Sequence, residues 1–219
     1  MKPRLTAVEP VWACDGRVRR GMRSREAIVA ALMDLVGSGI LQPTVQQVAD
    51  RAGVGVRSVF RHFTEMETLH REMDARLEVE ARPLMMGAER AGSVAERIVA
   101  LVRQRTTFFE RIAPYKRSAN LVRLRSPFLQ ERHLELLRRL RADLLSWLPE
   151  LKGASAALVE AGDLATSFEA WDRLRSDRQL APKAASAVVE TTLFALLSRA
   201  PGGAAPRRAR SPARPRRAG

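Results

Sequence analysis

The sequence predicts an all-α protein, and three observations carry that prediction. Apolar residues recur at helical spacing along most of the chain, whereas alternating β-branched runs are few. Three capping boxes, Thr44-x-x-Gln47, Thr64-x-x-Glu67 and Ser93-x-x-Glu96, mark helix starts. In each, the hydroxyl and the side chain three residues on satisfy two backbone amides that the first turn leaves open. Gly and Pro sit mostly at the joints between apolar stripes and in the C-terminal tail.

The elements follow in order. Residues 1–16 read as a disordered lead, and residues 17–25 as a basic arm with Arg17, Arg19, Arg20, Arg23 and Arg25. A first helix then carries Ile28, Leu32, Leu35 and Val36 on one face. Gly37 and Gly39 end it, and Pro43 bars continuation. Thr44 opens a short second helix, Ala52-Gly53-Val54 turns the chain, and a third short helix runs to Phe63. Ala49 is small enough for the two helices to cross closely, and Gly53 supplies positive φ at no steric cost. Val54 and Val59 supply the apolar contacts that lock the pair.

Thr64 opens a fourth helix with Leu69, Met73 and Leu77 inward, which Pro83 ends or kinks. After a joint at 87–92, Ser93 opens a fifth with Val94, Ile98, Leu101, Val102, Phe109 and Ile112 inward. Pro114 is expected to break it, leaving a shorter helix over 116–125. Ser126-Pro127 is an N-cap with proline at the first helical position, and its helix carries Leu129, Leu136, Leu137, Leu140, Leu144 and Leu148. Beyond Pro149 and Gly153 the pattern gives two last helices, over 154–175 and 182–198. Residues 200–219 hold six arginines and no acid, and lack apolar bulk to offset ordering entropy, so disorder is expected there.

Composition narrows the function. Lys and Arg total 38 against 24 acids, a formal charge of +14, which points to a polyanionic partner. One cysteine permits no intrachain disulfide and suits a reducing cytoplasm. The start leads into no long apolar run and no stretch is long enough to span a bilayer, so a cytoplasmic protein with no membrane partner is expected. His62, His70 and His133 lack metal-ligand spacing, no Gly-rich phosphate loop appears, and no carboxylate pair stands apart from the arginines. No catalytic residue, metal or cofactor is expected, and hence no enzyme.

The second and third helices form the most specific signal. The third presents Val56, Arg57, Ser58, Arg61 and His62 outward, the face that a major groove of double-stranded DNA would meet. Arg57 suits bidentate contact with guanine, Ser58 a base or a phosphate, and His62 a phosphate. Phe60 suits either a sugar or thymine methyl, or half-buried packing. In this setting the arginines of the basic arm reach backbone or minor groove.

Residues 22–70 closely resemble the DNA-binding domain of the TetR family of bacterial transcriptional regulators. The resemblance rests on Thr44, on Ala52-Gly53-Val54, and on Phe60 and Phe63 as the aromatic-x-x-Phe that ends the recognition helix. Two positions depart from the family pattern. Phe60 stands where Tyr is usual and Met66 where Lys is usual, so phosphate binding leans on the arginines. The resemblance implies an N-terminal three-helix helix-turn-helix domain over 17–70 and a C-terminal helical ligand-binding and dimerisation domain over 71–199. It also implies a homodimeric regulator, with repression the expected sign, on a pseudo-palindromic operator. The DNA-binding set is then Arg17, Arg19, Arg20, Arg23, Thr44, Val56, Arg57, Ser58, Phe60, Arg61 and His62.

Two further surfaces are expected. The last helix is apolar nearly all round, and such a helix needs cover on two sides; a partner chain is the economical second cover. Leu158, Ala161, Ala165, Phe168, Val189, Leu193, Leu196 and Leu197 form the expected dimer interface. Met85, Phe108, Phe109, Tyr115, Phe128 and Trp147 form a candidate pocket for a small apolar or aromatic effector. The alternative reading is a helical small-molecule or protein-binding module that does not read DNA.

Overall fold

A computed structural model describes residues 16–63, 66–86 and 89–198. The lead up to residue 15, the Arg-rich tail and the capping role of Thr64 lie outside the described residues. Among the described residues the regular structure is helical throughout: α1 (Gly16–Gly37), α2 (Val45–Ala52), α3 (Val56–His62), α4 (Met66–Ala81), α5 (Val94–Val122), α6 (Pro127–Trp147), α7 (Ala156–Ala165), α8 (Phe168–Asp172) and α9 (Pro182–Leu197). The all-α expectation holds.

Three local outcomes differ from the sequence reading. The basic stretch from residue 17 is no arm; it forms the first turns of α1. Pro114 does not break α5, which runs through it for 29 residues. Proline costs a helix interior about 3 kcal/mol. Phe109, Ile112, Ala113 and Tyr115 are all buried around it, and their burial offsets that cost. The helix expected over 154–175 is instead split. The Thr166 hydroxyl bonds back to the Gly162 carbonyl at 2.9 Å, and the Ser167 hydroxyl accepts from Ala170 N at 3.1 Å, so one helix stops and the next is capped. A π-helical turn, Arg173–Asp177, follows α8.

The capping boxes at Thr44 and Ser93 form as written. Thr44 N donates to Gln47 Oε1 at 2.8 Å while Gln47 N donates to Thr44 Oγ1 at 3.2 Å. Ser93 N donates to Glu96 Oε2 at 2.8 Å while Glu96 N donates to Ser93 Oγ at 3.3 Å.

The chain divides into two compact units. One holds residues 1–81 and 112–130, the other 82–111 and 131–219. The sequence reading drew a single boundary at 70/71; the units divide otherwise because two later elements supply the first core. Leu69 and Met73 of α4 and Tyr115 of α5 join Ile28, Leu32, Val36, Val48, Ala49, Val59 and Phe63 there. The Ser118 hydroxyl donates to the Leu41 carbonyl at 2.6 Å within the same unit. The second unit packs Ile98, Leu101 and Val102 of α5 and Leu144, Trp147 and Leu148 against Val189, Leu193 and Leu197 of α9.

Candidate nucleic-acid interface

The first unit builds a rigid frame for α3. At the turn, Gly53 adopts φ 65° and ψ 32°, a left-handed conformation that glycine enters freely. Its neighbour Val54 N donates to the Ala49 carbonyl at 3.0 Å and closes the end of α2. Ala49 is fully buried, so α2 and α3 approach without a bulky side chain between them. Val59 and Phe63 anchor α3 from below.

Arg25 of α1 clamps the far end of α3. Its guanidinium donates to the Glu72 carboxylate of α4 and, through Nη1, to the His62 carbonyl at 3.1 Å. It also lies 4.6 Å above the centroid of the Phe63 ring. One side chain therefore ties α1, α4 and the last carbonyls of α3. The sequence reading grouped Arg25 with the basic stretch. Its spacing of three and four residues from Ile28 and Val29 was the signal that it faces inward.

What remains outward on α3 is narrow. Arg57 and Arg61 are exposed and Phe60 is 53% exposed. The Ser58 hydroxyl accepts from Arg61 Nη2 at 3.3 Å, so these two side chains act as one group. Thr44 is exposed at the start of α2, and Arg19, Arg20 and Arg23 are exposed on α1. Arg17 falls within α1, and its side chain lies outside the described residues.

Two members of the expected face are placed otherwise. Val56 is half-buried and packs against the first core. His62 is half-buried beneath α1, its Cε1 3.9 Å from where a Cβ on Gly21 would stand, and its Nε2 is buried without a hydrogen-bond partner among the described residues. Burial, then the charges of Arg61 and Arg25, hold its pKa below the ordinary value, so it stays neutral near pH 7. The reason is periodic: on a helix of seven residues, residues 56, 59 and 62–63 share the inward face, which leaves 57, 60 and 61 outside.

The expected pocket residues fall in both units. Tyr115 belongs to the first core, and Phe128, also in the first unit, lies under Arg71 at 4.2 Å. Met85, Phe108, Phe109 and Trp147 belong to the second unit, where Trp147 is fully buried in the core. Phe109 lines a cleft of the second unit.

The expected dimer residues divide as well. Phe168, Val189, Leu193 and Leu197 are buried within the second unit, and Leu158, Ala161, Ala165 and Leu196 are half-buried. The apolar groups that α7 and α9 leave exposed are Leu164 at 68%, Val188 at 43% and Phe194 at 41%, with Ala184, Ala187, Thr191, Thr192 and Ala195 also exposed on α9. No described helix is long and apolar enough to cross a membrane.

Two solved structures share this fold. A transcriptional regulator from Rhodococcus sp. Rha1 superposes with a TM-score of 0.60 at 20% identity, covering 82% of this chain and 97% of its own. A protein described as a candidate transcriptional regulator from Streptomyces coelicolor A3(2) gives a TM-score of 0.51 at 23% identity, covering 78% of this chain and 98% of its own. At these identities the likeness is one of fold. No protein-family model matches the sequence, and no curated protein matches it significantly.

Proposed function

We propose that the protein is a DNA-binding transcriptional regulator of the TetR type rather than an enzyme, acting as a homodimer on a pseudo-palindromic operator. The observation that carries this reading is the exposed Arg57, Phe60 and Arg61 face of α3, held from behind by the Gly53 turn and the Arg25 clamp. A short helix fixed in this way presents guanidinium groups at the depth a major groove requires. Arg19, Arg20 and Arg23 on the first turns of α1 supply phosphate contacts that set register without reading sequence. The fold shared with two regulators supports the reading.

The second copy covers the exposed Leu164, Val188 and Phe194 surface. Two recognition helices at fixed separation then meet successive major grooves. Repression is the expected sign, with an effector in the second unit shifting the equilibrium toward a form of lower DNA affinity.

Mapping the DNA that the protein occupies in its own cell, followed by gel-shift titration of the recovered sites, tests the reading. A palindromic site bound at least about a thousandfold more tightly than random DNA is the expected result. Equal affinity for both would mean a charge-driven coating protein. No affinity for either would favour the binding module without DNA reading, to which the exposed Phe60 and Met66 in place of Tyr and Lys point.

A further inference from the structure

Arg25 closes a run of arginines on α1 but faces away from the others. Arg19, Arg20 and Arg23 are exposed, whereas Arg25 is half-buried and lies three and four residues before Ile28 and Val29 of the first core. Gly21, one turn earlier on the same face, passes over the end of α3: a Cβ there would stand 3.9 Å from His62 Cε1. Arg25 therefore sits where α1 crosses the last turn of the candidate recognition helix.

α3 is seven residues long, and so short a helix is not stable by itself. Its N-cap is Gly55, which has no side chain to bond the open amides of the first turn. Its last carbonyls are open in the same way. Arg25 takes one of them, its Nη1 donating to the His62 carbonyl at 3.1 Å. A cation suits this end of a helix, where the peptide dipoles leave partial negative charge. Two further contacts fix the guanidinium. Its Nε donates to Glu72 Oε1 on α4 at 2.9 Å, and its Nη2 pairs with the same oxygen. Its Cζ lies 4.6 Å from the centroid of the Phe63 ring. Each of the three nitrogens is engaged within the first unit, so the group is committed to the protein rather than to a phosphate. Phe60 and Arg61 stand in the turn that this cap closes.

We propose that Arg25 is a positioning residue for sequence reading: it touches no DNA, and by capping α3 against Glu72 and Phe63 it holds Arg57, Phe60 and Arg61 in the orientation that base edges require. Phosphate contacts tolerate a shift of the helix, because the DNA backbone is uniformly charged. Hydrogen bonds to base edges do not. Loss of the cap is therefore felt as lost discrimination and not as lost general affinity. The effect on base reading rests on the regulatory reading above; the cap itself does not.

Arg25→Lys separates a cap from a phosphate contact. Lysine keeps the charge and can serve a phosphate, but its single ammonium cannot span Glu72 and the His62 carbonyl as the planar fork does. Two measurements on the full chain decide: backbone hydrogen exchange of the free protein, and gel-shift titration on the recovered operator and on random DNA across a salt series. In Arg25→Lys the amides of residues 60–63 should exchange about tenfold faster, with those of residues 28–36 changed far less. Operator affinity should fall about tenfold, while random-DNA affinity and both salt slopes stay as they were. Arg25→Ala should behave alike. Glu72→Gln keeps an oxygen for Arg25 to donate to and should retain most of the discrimination, so the lysine and glutamine variants decide should the alanine variant fail to fold.

A phosphate contact would show otherwise: Arg25→Lys would change little, and Arg25→Ala would weaken both DNAs and flatten the slope by about 0.9. Either result, or unchanged exchange at residues 60–63, would overturn the proposal. Faster exchange with discrimination intact would remove the positioning role and leave the regulator standing. A wild-type chain with no operator would remove the regulator and the positioning role with it, while the exchange rates would still decide the cap.

Discussion

The outward faces of α3 and α9 make an instructive pair. Both helices bury one stripe in the core of their own unit: Val59 beside Phe63 in the first, and Ala185, Val189, Leu193 and Leu197 in the second. What each leaves outside differs in kind. α3 shows two arginines and a phenylalanine, whereas α9 shows Val188 and Phe194 among alanines and threonines. The inward stripe determines that a helix forms and where it docks; the outward stripe determines what can meet it. A polyanion suits the first and a second apolar surface suits the other.

The largest effect should come from breaking the inward stripe of α9. Leu193 is 1% exposed, so Leu193→Asp forces a carboxylate into the second core. A loss of at least about 3 kcal/mol of stability is expected in denaturant titration, or no folded chain at all. A stable Leu193→Asp protein would show that the α9 register is wrong.

The outward stripe should behave in the opposite way. Phe194→Asp lies on the exposed face and should alter chain stability by no more than about 0.5–1 kcal/mol. Light scattering should nevertheless report monomers, and palindrome affinity should collapse. A Phe194→Asp dimer would separate α9 from the interface and leave the comparison without its second half.

On α3 the matching change is Arg57→Ala. A cost of about 1–3 kcal/mol on the cognate site is expected, with relaxed preference at one base pair in each half-site. An equal loss on cognate and random DNA would make Arg57 a phosphate contact.

The smallest effect concerns acid. Burial holds the pKa of His70 on α4 below its ordinary value of 6.5, with Glu67 pulling weakly the other way. The folded state therefore resists a proton that the unfolded chain accepts, and stability falls as pH drops below about 6.5. His62 carries the same sign. His70→Gln should flatten part of that fall in thermal melts between neutral and mildly acid pH. An unchanged slope would place the titration elsewhere.

Legibility from sequence followed the range of the interaction. The turn at Gly53 and the capping boxes at Thr44 and Ser93 are local, involve residues at most five apart, and form as written. The continuity of α5 through Pro114 was not legible, because a local penalty was outweighed by burial against other elements. The break at Thr166 and Ser167 was partly written, since hydroxyl residues in sequence offer the backbone other partners, but periodicity across them concealed it.

The candidate interface divides in the same manner. Arg57 and Arg61 are outward as their spacing says, and Phe60, for which the sequence leaves groove contact and half-buried packing open, is outward with them. Val56 and His62 are not, since on this short helix they share the inward face with Val59 and Phe63. The apolar residues of α9 were recognised as needing two covers, yet the members chosen for the partner side mostly face their own core. Periodicity separates faces of a helix but does not say which of two apolar faces turns inward.

By itself, then, the sequence determined the helical class, the helix-turn-helix geometry, the positive charge and the arginine face of α3, because each rests on local backbone preference or on composition. The tertiary structure alone decided that α5 serves two units, that Arg25 clamps α3, that Arg105 is buried beside Asp143, and which stripe of α9 stays exposed. Those outcomes depend on contacts between residues tens of positions apart, where the burial of one element is set by the shape of the others.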